Sequence, residues 1–236
     1  YAILGRLVGS EMCIRDSSTD IVGYSKYIER VKDASGKSFH PSDNREEIDR
    51  AELSINLALQ GKKVVVVSSG DPGVFAMASA IFEVVDKKNI SIDDLSILVL
   101  PGITALLAAS ARLGAPIGHD FCVINLSDNL KSWDILKSRV IAAAKADFVI
   151  AFYNPRSKSR KNQLSEIYDV LRKNCKSDRI VIYANSISTE SEAVFETTLS
   201  EADASSVSMK TLVIIGSSRT KKTVSYTHLR AHETSE

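Results

Sequence analysis

Five polar stretches hold the residue types from which a ligand site can be built: SSGDPG (68–73), LPGIT (100–104), LSDN (126–129), YNPRS (153–157) and ANSIS (184–188). SSGDPG admits two readings. It is a sharp turn into a helix, with Asp71 as N-cap, Pro72 at the first helical position and glycines permitting the bend, or it is the floor of a ligand site. Arg156, Lys158, Arg160 and Lys161 crowd one loop. Guanidinium groups suit carboxylates, and the same residues also fit a solvated loop and helix start. Ser127 and Asp128 are either a hydroxyl and an acid in a cleft or the cap of the next helix. His228 and His232 have the i, i+4 spacing of a helical metal pair, but the segment around them shows no helical period, and His40 falls in a loop.

The familiar catalytic signatures are missing. There is no G-x-G-x-x-G, no G-x-x-x-x-G-K-[ST], no G-x-S-x-G and no H-E-x-x-H. Dinucleotide binding of the usual kind, phosphate-loop NTPase chemistry, the α/β-hydrolase elbow and a zinc protease site are therefore unsupported. No metal site and no general acid or base is singled out. Cys13, Cys122 and Cys175 are odd in number and never spaced C-x-x-C, so they read as free thiols of a reducing cytoplasm.

The elements that must carry these loops alternate between strand and helix. A helix is predicted over Arg45–Gln60, where Ile48, Ala51, Ile55 and Leu59 form one apolar stripe and Gly61 stops it. Lys62–Ser68 contains four consecutive valines and reads as a parallel strand buried on both faces. A helix follows through Val74, Met77, Ala78, Ile81, Phe82 and Val85; then come a strand at Ser96–Leu100 and a helix at Ile103–Arg112. LGAPIGHD (113–120) is the best linker. Beyond it, strands are predicted at Phe121–Leu126, Asp147–Tyr153, Arg179–Ala184, Ala193–Leu199 and Thr211–Gly216. Helices run through Trp133, Leu136, Val140 and Ile141, and through Leu164, Ile167 and Leu171. Trp133 and Tyr183 are placed with the core. Repeated βα units predict an α/β fold of two α/β/α halves with mainly parallel and mixed sheets. In such sheets ligands sit at the carboxyl ends of strands, where all five polar stretches fall.

Bulk properties narrow the function. The 236 residues carry a net charge of +1, with 44% hydrophobic and 25% charged residues. No global basic field exists for coating nucleic acid, and no apolar run of about 18 residues predicts a membrane span. No signal peptide is recognised. Residues 1–17 and 224–236 lack both period and turn logic and resemble translated sequencing-adapter read-through. The expected organisation is therefore 1–17 artefact, 18–114 a truncated N-terminal α/β domain, 115–223 a C-terminal α/β domain, and 224–236 artefact.

SSGDPGVFAMA, LPGITALLAASARLGAPIGHDF, INLSDNLKSW and AFYNPRSKSRKNQL, in this order, resemble the tetrapyrrole (corrin and porphyrin) methyltransferase family. PSDNREEIDRAELSINLALQGKKVVVVSSGDPGVF and DIVGYSKYIERV are similar as well, so the resemblance spans residues 19 to about 220. GDPG and PGIT mark the wider family. YNPRS with SSGDPGV resembles the branch that methylates carbon 17 of precorrin-3B and contracts the macrocycle in cobalamin biosynthesis. The resemblance implies S-adenosylmethionine as methyl donor, no protein-bound metal, and an anionic tetrapyrrole as substrate, with or without cobalt. It implies a cofactor cleft between the halves, lined by Ser69, Gly70, Asp71, Val74, Thr104, Ala105, Tyr153, Asn154 and Ser186. Arg156, Ser157 and Lys158 would meet the substrate. It also implies a cytoplasmic enzyme, commonly a homodimer, with no nucleic-acid or membrane partner. A methylase of carbon 11 or of uroporphyrinogen, and an inactive tetrapyrrole-binding remnant, remain alternatives. The chain departs from the family at its start, where a first strand and a glycine-proline-glycine loop are expected and missing. Losing that central strand would expose its neighbours' unpaired edges.

Overall fold

The computed structural model describes residues 2–4, 17–31, 35–43, 45–91, 93–127, 131–157, 160–223 and 228–231. The chain divides into two compact units, residues 1–104 and 105–236.

The first unit is built on a five-stranded sheet. In chain order its strands are β1 (Ala2–Leu4), β2 (Asp20–Tyr24), β3 (Ser38–Ser42), β4 (Val64–Val67) and β5 (Leu98–Val99), and in space they run β3-β2-β4-β1-β5. Every pairing in it is parallel. Helices α1 (Ser25–Ile28), α2 (Glu47–Leu59) and α3 (Met77–Lys87) complete the unit. The valine run is buried on both faces, as its composition predicts. Val64 and Val66 join Ala51 and Ile55 of α2 and Met77, Ala78, Ile81 and Val84 of α3, while Val65 and Val67 join Ile21 on the opposite face.

Two expectations are corrected here. The first strand is not missing: β1 pairs with Val65–Val67 on one side and Leu98–Val99 on the other, so the central slot is filled. Three residues are too few to display a period, which is why the segment reads as featureless. The loop after it lies outside the described residues. His40 is not in a loop but in β3, with its Nε2 2.8 Å from the Asp20 carboxylate. SFHPS holds one large apolar residue and a proline, so its edge-strand character leaves no alternation to read. DIVGY becomes β2, which pairs with both β3 and β4.

The second unit carries β6 (Gly114–Ala115), β7 (Phe121–Asn125), β8 (Val149–Tyr153), β9 (Ile180–Asn185), β10 (Ala193–Thr198), β11 (Thr211–Ile215), β12 (Thr220–Thr223) and β13 (His228–Ala231). Its helices are α4 (Ala105–Leu113), α5 (Trp133–Lys145) and α6 (Gln163–Asn174). The main sheet has the order β10-β9-β11-β8-β7; β7 and β8 are parallel and the other pairs antiparallel. One face buries Ile150, Phe152, Val181, Tyr183, Val213 and Ile215 against α5 and α6. The other buries Val149, Ala151, Ile182, Ala184, Leu212 and Ile214 against Leu106, Ala109 and Leu113 of α4.

That second face explains where the chain divides. Glycines and a proline near residue 115 suggest a linker, but the division falls at 104/105, because α4 is the cover of the second sheet. Gly114–Ala115 instead forms β6, which pairs with β13, and β13 pairs in turn with β12. His228 therefore lies in a strand and not on a helix; His232 lies outside the described residues.

Candidate functional site

In the first unit, SSGDPG leaves the carboxyl end of β4 and LPGIT that of β5. Asp71 does not cap a helix and Pro72 does not begin one. Helix α3 starts at Met77 after Ala76, which offers no side-chain cap. The Asp71 carboxylate instead accepts the Gly73 amide at 2.8 Å and the Gly102 amide at 3.0 Å. It thus closes its own turn and ties SSGDPG to LPGIT. A short acidic side chain can replace backbone acceptors in this way, which is why the sequence signal for a cap and for an Asx turn is the same. Gly70 has φ +70°, and a Cβ there would lie 3.5 Å from the Thr104 Cα. Phe75 has φ +52°. Ser69 is exposed; Gly70, Asp71, Val74 and Thr104 are half-buried. Two large apolar side chains stand out on these loops, Phe75 at 46% and Ile103 at 60% exposure.

In the second unit, YNPRS leaves β8, ANSIS spans the end of β9, and LSDN follows β7. The Leu106 amide in the first turn of α4 donates to the Tyr153 hydroxyl at 2.9 Å, and Ala105 beside it is half-buried. Asn154 has φ +50°, and its Nδ2 donates to the Asn125 side-chain carbonyl at 3.2 Å. The same Asn125 oxygen accepts the Ser127 amide at 2.9 Å. Arg156 Nη1 donates to the carbonyls of Ala204 and Ser205 at 2.9 and 2.6 Å. Ser157 and Arg160 close a turn, and Arg160 Nη1 donates to the Leu126 carbonyl at 3.0 Å. Ser186 has φ +47°; its amide donates to the Lys210 carbonyl at 3.0 Å and its own carbonyl accepts the Thr189 hydroxyl at 2.7 Å. Lys158 and Asp128 lie outside the described residues.

Several residues have places that residue type alone does not reveal. Asn125 was not singled out, yet it joins two candidate loops; its position at the end of a strand, before Ser127, was the available signal. The cap of α5 is Ser132, whose hydroxyl accepts the Ile135 amide, rather than Ser127 or Asp128. Trp133 packs against the core and donates to the Glu166 carboxylate at 2.8 Å. Tyr183 is buried; the Tyr168 hydroxyl donates to its hydroxyl at 2.9 Å, and Tyr183 donates onward to the Asp203 carbonyl at 3.0 Å. Burial pushes both phenols up, so neither supplies a phenolate base. Burial likewise pushes the Cys122 thiol up to about 11, which removes it as a nucleophile. Among the described residues, no group of three or more His, Cys, Asp or Glu side chains is arranged to hold a metal ion. No helix among them is long and apolar enough to cross a membrane.

These loops are positive-φ or glycine-bent turns at strand ends; their charged side chains Asp71, Arg156 and Arg160 are tied to backbone groups, and among the described residues no nucleophile is seen paired with a base. That arrangement positions a ligand well and activates one poorly. Comparison with known proteins is consistent. A Sinorhizobium sp protein named precorrin-3B C(17)-methyltransferase is 44% identical over 205 residues, covering 87% of this chain and 81% of its own. The crystal structure of the methyltransferase CobJ superposes with a TM-score of 0.91 at 44% identity, covering 98% of both chains. Uroporphyrin-III C-methyl transferase from Thermus thermophilus, solved in complex with S-adenyl homocysteine, shares the fold at a TM-score of 0.67 and 16% identity, covering 91% of this chain and 96% of that one. Residues 12–203 match the family described as Tetrapyrrole (Corrin/Porphyrin) Methylases, and with most of its length matched the chain belongs to that family.

Proposed function

We propose that this chain transfers a methyl group from S-adenosylmethionine to carbon 17 of precorrin-3B or its cobalt analogue, with contraction of the macrocycle. The observation that carries this is the 44% identity to a C(17)-methyltransferase across 87% of the chain. The loops fit the donor. Gly70 and Asp71 form a glycine-bent turn whose carboxylate is fixed in place by two amides, and exposed Phe75 and Ile103 supply apolar surface that a ligand would cover.

In the first unit the proposed cofactor contacts are Ser69, Gly70, Asp71, Val74 and Thr104. In the second they are Ala105, Tyr153, Asn154 and Ser186. When bound, the sulfonium donor supplies an already good leaving group, so the protein's task is alignment. Asp71 sets the glycine turn, and Tyr153 holds the first turn of α4. Ser157 and Lys158 are the proposed contacts for substrate carboxylates. A cytoplasmic location, a homodimer and activity without a protein-bound metal belong to the same proposal.

The test is incubation of the purified protein with S-adenosylmethionine and either precorrin-3B or its cobalt analogue. Mass spectrometry is expected to report one added methyl at carbon 17, and absorbance to report ring contraction. Methylation at another carbon, or none, would overturn the assignment.

A further inference from the structure

We infer that Arg156 is a positioning residue: it holds the Tyr153–Asn154 turn in shape and does not grip a substrate carboxylate end-on through its two terminal nitrogens. The inference rests on the reading of that turn as a cofactor contact. Residue type and the resemblance both give Arg156 to the substrate. Its hydrogen bonds lead elsewhere, because Nη1 donates to two carbonyls of its own chain, Ala204 at 2.9 Å and Ser205 at 2.6 Å. A carboxylate gripped end-on by guanidinium needs one hydrogen from each terminal nitrogen. With Nη1 engaged on two carbonyls, that end-on grip is lost.

The post to which Arg156 is tied is firm. Leu199, Ala202, Ala204 and Val207 are all buried in the core of the second unit. Arg172 donates to the Leu199 carbonyl from Nε at 3.0 Å and to the Ala202 carbonyl from Nη2 at 2.6 Å. The Tyr183 hydroxyl takes the Asp203 carbonyl at 3.0 Å. The segment is thus held by other side chains before Arg156 reaches it. It also answers the arginine's charge. Hydrogen bonds from the Ser205 hydroxyl and amide, with the Arg156 charge adding to them, hold the Asp203 carboxyl below its usual range.

At the other end stands Asn154, a non-glycine residue with φ +50°. Between it and Arg156 lies only Pro155, whose ring locks φ and which is buried. Fixing the Arg156 side chain therefore fixes the backbone of Asn154 through a stiff two-residue link. YNPRS has no glycine to adopt the left-handed turn freely. The Asn125 hydrogen bond constrains the turn from one side, and Arg156 constrains it from the other.

The experiment compares wild type, Arg156→Met and Arg156→Lys. It measures the Kd for S-adenosylhomocysteine by calorimetry and the KM for the tetrapyrrole at two ionic strengths. Arg156→Met is expected to weaken S-adenosylhomocysteine by about tenfold while the tetrapyrrole KM and its salt dependence change by less than about twofold. Arg156→Lys keeps the charge but not the paired donors, and is expected to behave like the Met variant. A turn-mediated effect also predicts that Asn154→Gly and Arg156→Met are not additive in Kd. Should Arg156→Met fail to fold, Arg156→Gln, which keeps an N–H donor, takes its place. A raised tetrapyrrole KM rescued by lysine, with the Kd unchanged, would overturn the inference. Wild-type protein that does not bind S-adenosylhomocysteine would overturn the cofactor reading and this inference with it. Wild-type binding with unaffected variants would overturn the inference alone.

Discussion

SSGDPG in the first unit and YNPRS in the second are both turns at the carboxyl end of a parallel strand, yet they are held in opposite ways. In SSGDPG one carboxylate gathers backbone amides, Gly73 from its own turn and Gly102 from the next loop. In YNPRS side chains reach outward: Tyr153 to the Leu106 amide, Asn154 to Asn125, and Arg156 to two carbonyls. The difference follows from glycine. A turn with Gly70 at φ +70° reaches the left-handed region without a steric penalty and needs one acceptor to close it. A turn with Asn154 at φ +50° must be held from outside.

The sharpest way to break this comparison is Asp71→Ala. It leaves the exposed Gly73 amide and the half-buried Gly102 amide without their acceptor, and we expect a loss of about 1–2 kcal/mol in unfolding free energy together with at least about tenfold weaker S-adenosylmethionine binding. Denaturant unfolding and calorimetry read both. Retained affinity would show that SSGDPG is only a turn.

Next in size is Gly70→Ala. The added Cβ would sit 3.5 Å from Thr104, an ordinary contact, so the expected cost of about 1–2 kcal/mol comes from the positive φ and not from crowding. Asn154→Gly should be much milder in stability, because the turn already has the conformation glycine prefers. Thermal melts of the two variants test that asymmetry directly.

Tyr153→Phe removes the hydroxyl that accepts the Leu106 amide. We expect about 1 kcal/mol of lost stability, read by denaturant midpoint, with the packing of the ring retained.

The smallest expected effect separates the units in acid. Burial pushes the Asp20 carboxyl up, but the His40 and Thr19 hydrogen bonds, then the His40 and Lys62 charges, outweigh it and hold it below its ordinary 3.8. Burial also raises Asp147, but the Ser218 hydroxyl and amide, then the Arg179 and Arg219 charges, hold it below the same value. A depressed carboxylate contributes stability in full above its unfolded value, and that contribution disappears as the pH falls through the lower folded value. Melting temperatures followed from about pH 6 to about pH 3 should therefore fall least in Asp20→Asn and Asp147→Asn, which have already lost the contribution. An acid slope equal to wild type in either variant would remove that carboxylate from the account.

How much was legible depends on length and on what each residue type admits. The valine run of β4 and the apolar stripe of α6 repeat over enough residues to fix both type and burial; the stripes of α2 and α3 fix the helices and the centre of each buried face, but Ile48, Leu59 and Phe82 are exposed. β1 spans three residues and β6 two, below any period, and only strand pairing defines them. The order of the candidate loops was readable because each follows a strand. The job of each side chain within them was less so: Asp71 reads as a helix cap or as part of a ligand-site floor but closes an Asx turn, and Arg156 reads as a carboxylate ligand or a solvated side chain but ties to two carbonyls of its own chain.

The sequence by itself determined the α/β alternation, the strand-end position of every candidate loop and the family, because these depend on local composition and on the order of motifs along the chain. The tertiary structure alone decided that α4 belongs to the second unit, that β1 fills the centre of the first sheet, and that Asp71 binds Gly102 while Arg156 binds Ala204 and Ser205. Those partners lie 31, 48 and 49 residues away. A hydrogen bond is set by distance and direction in space, and no local pattern of residues records which distant carbonyl or amide folding will bring within reach.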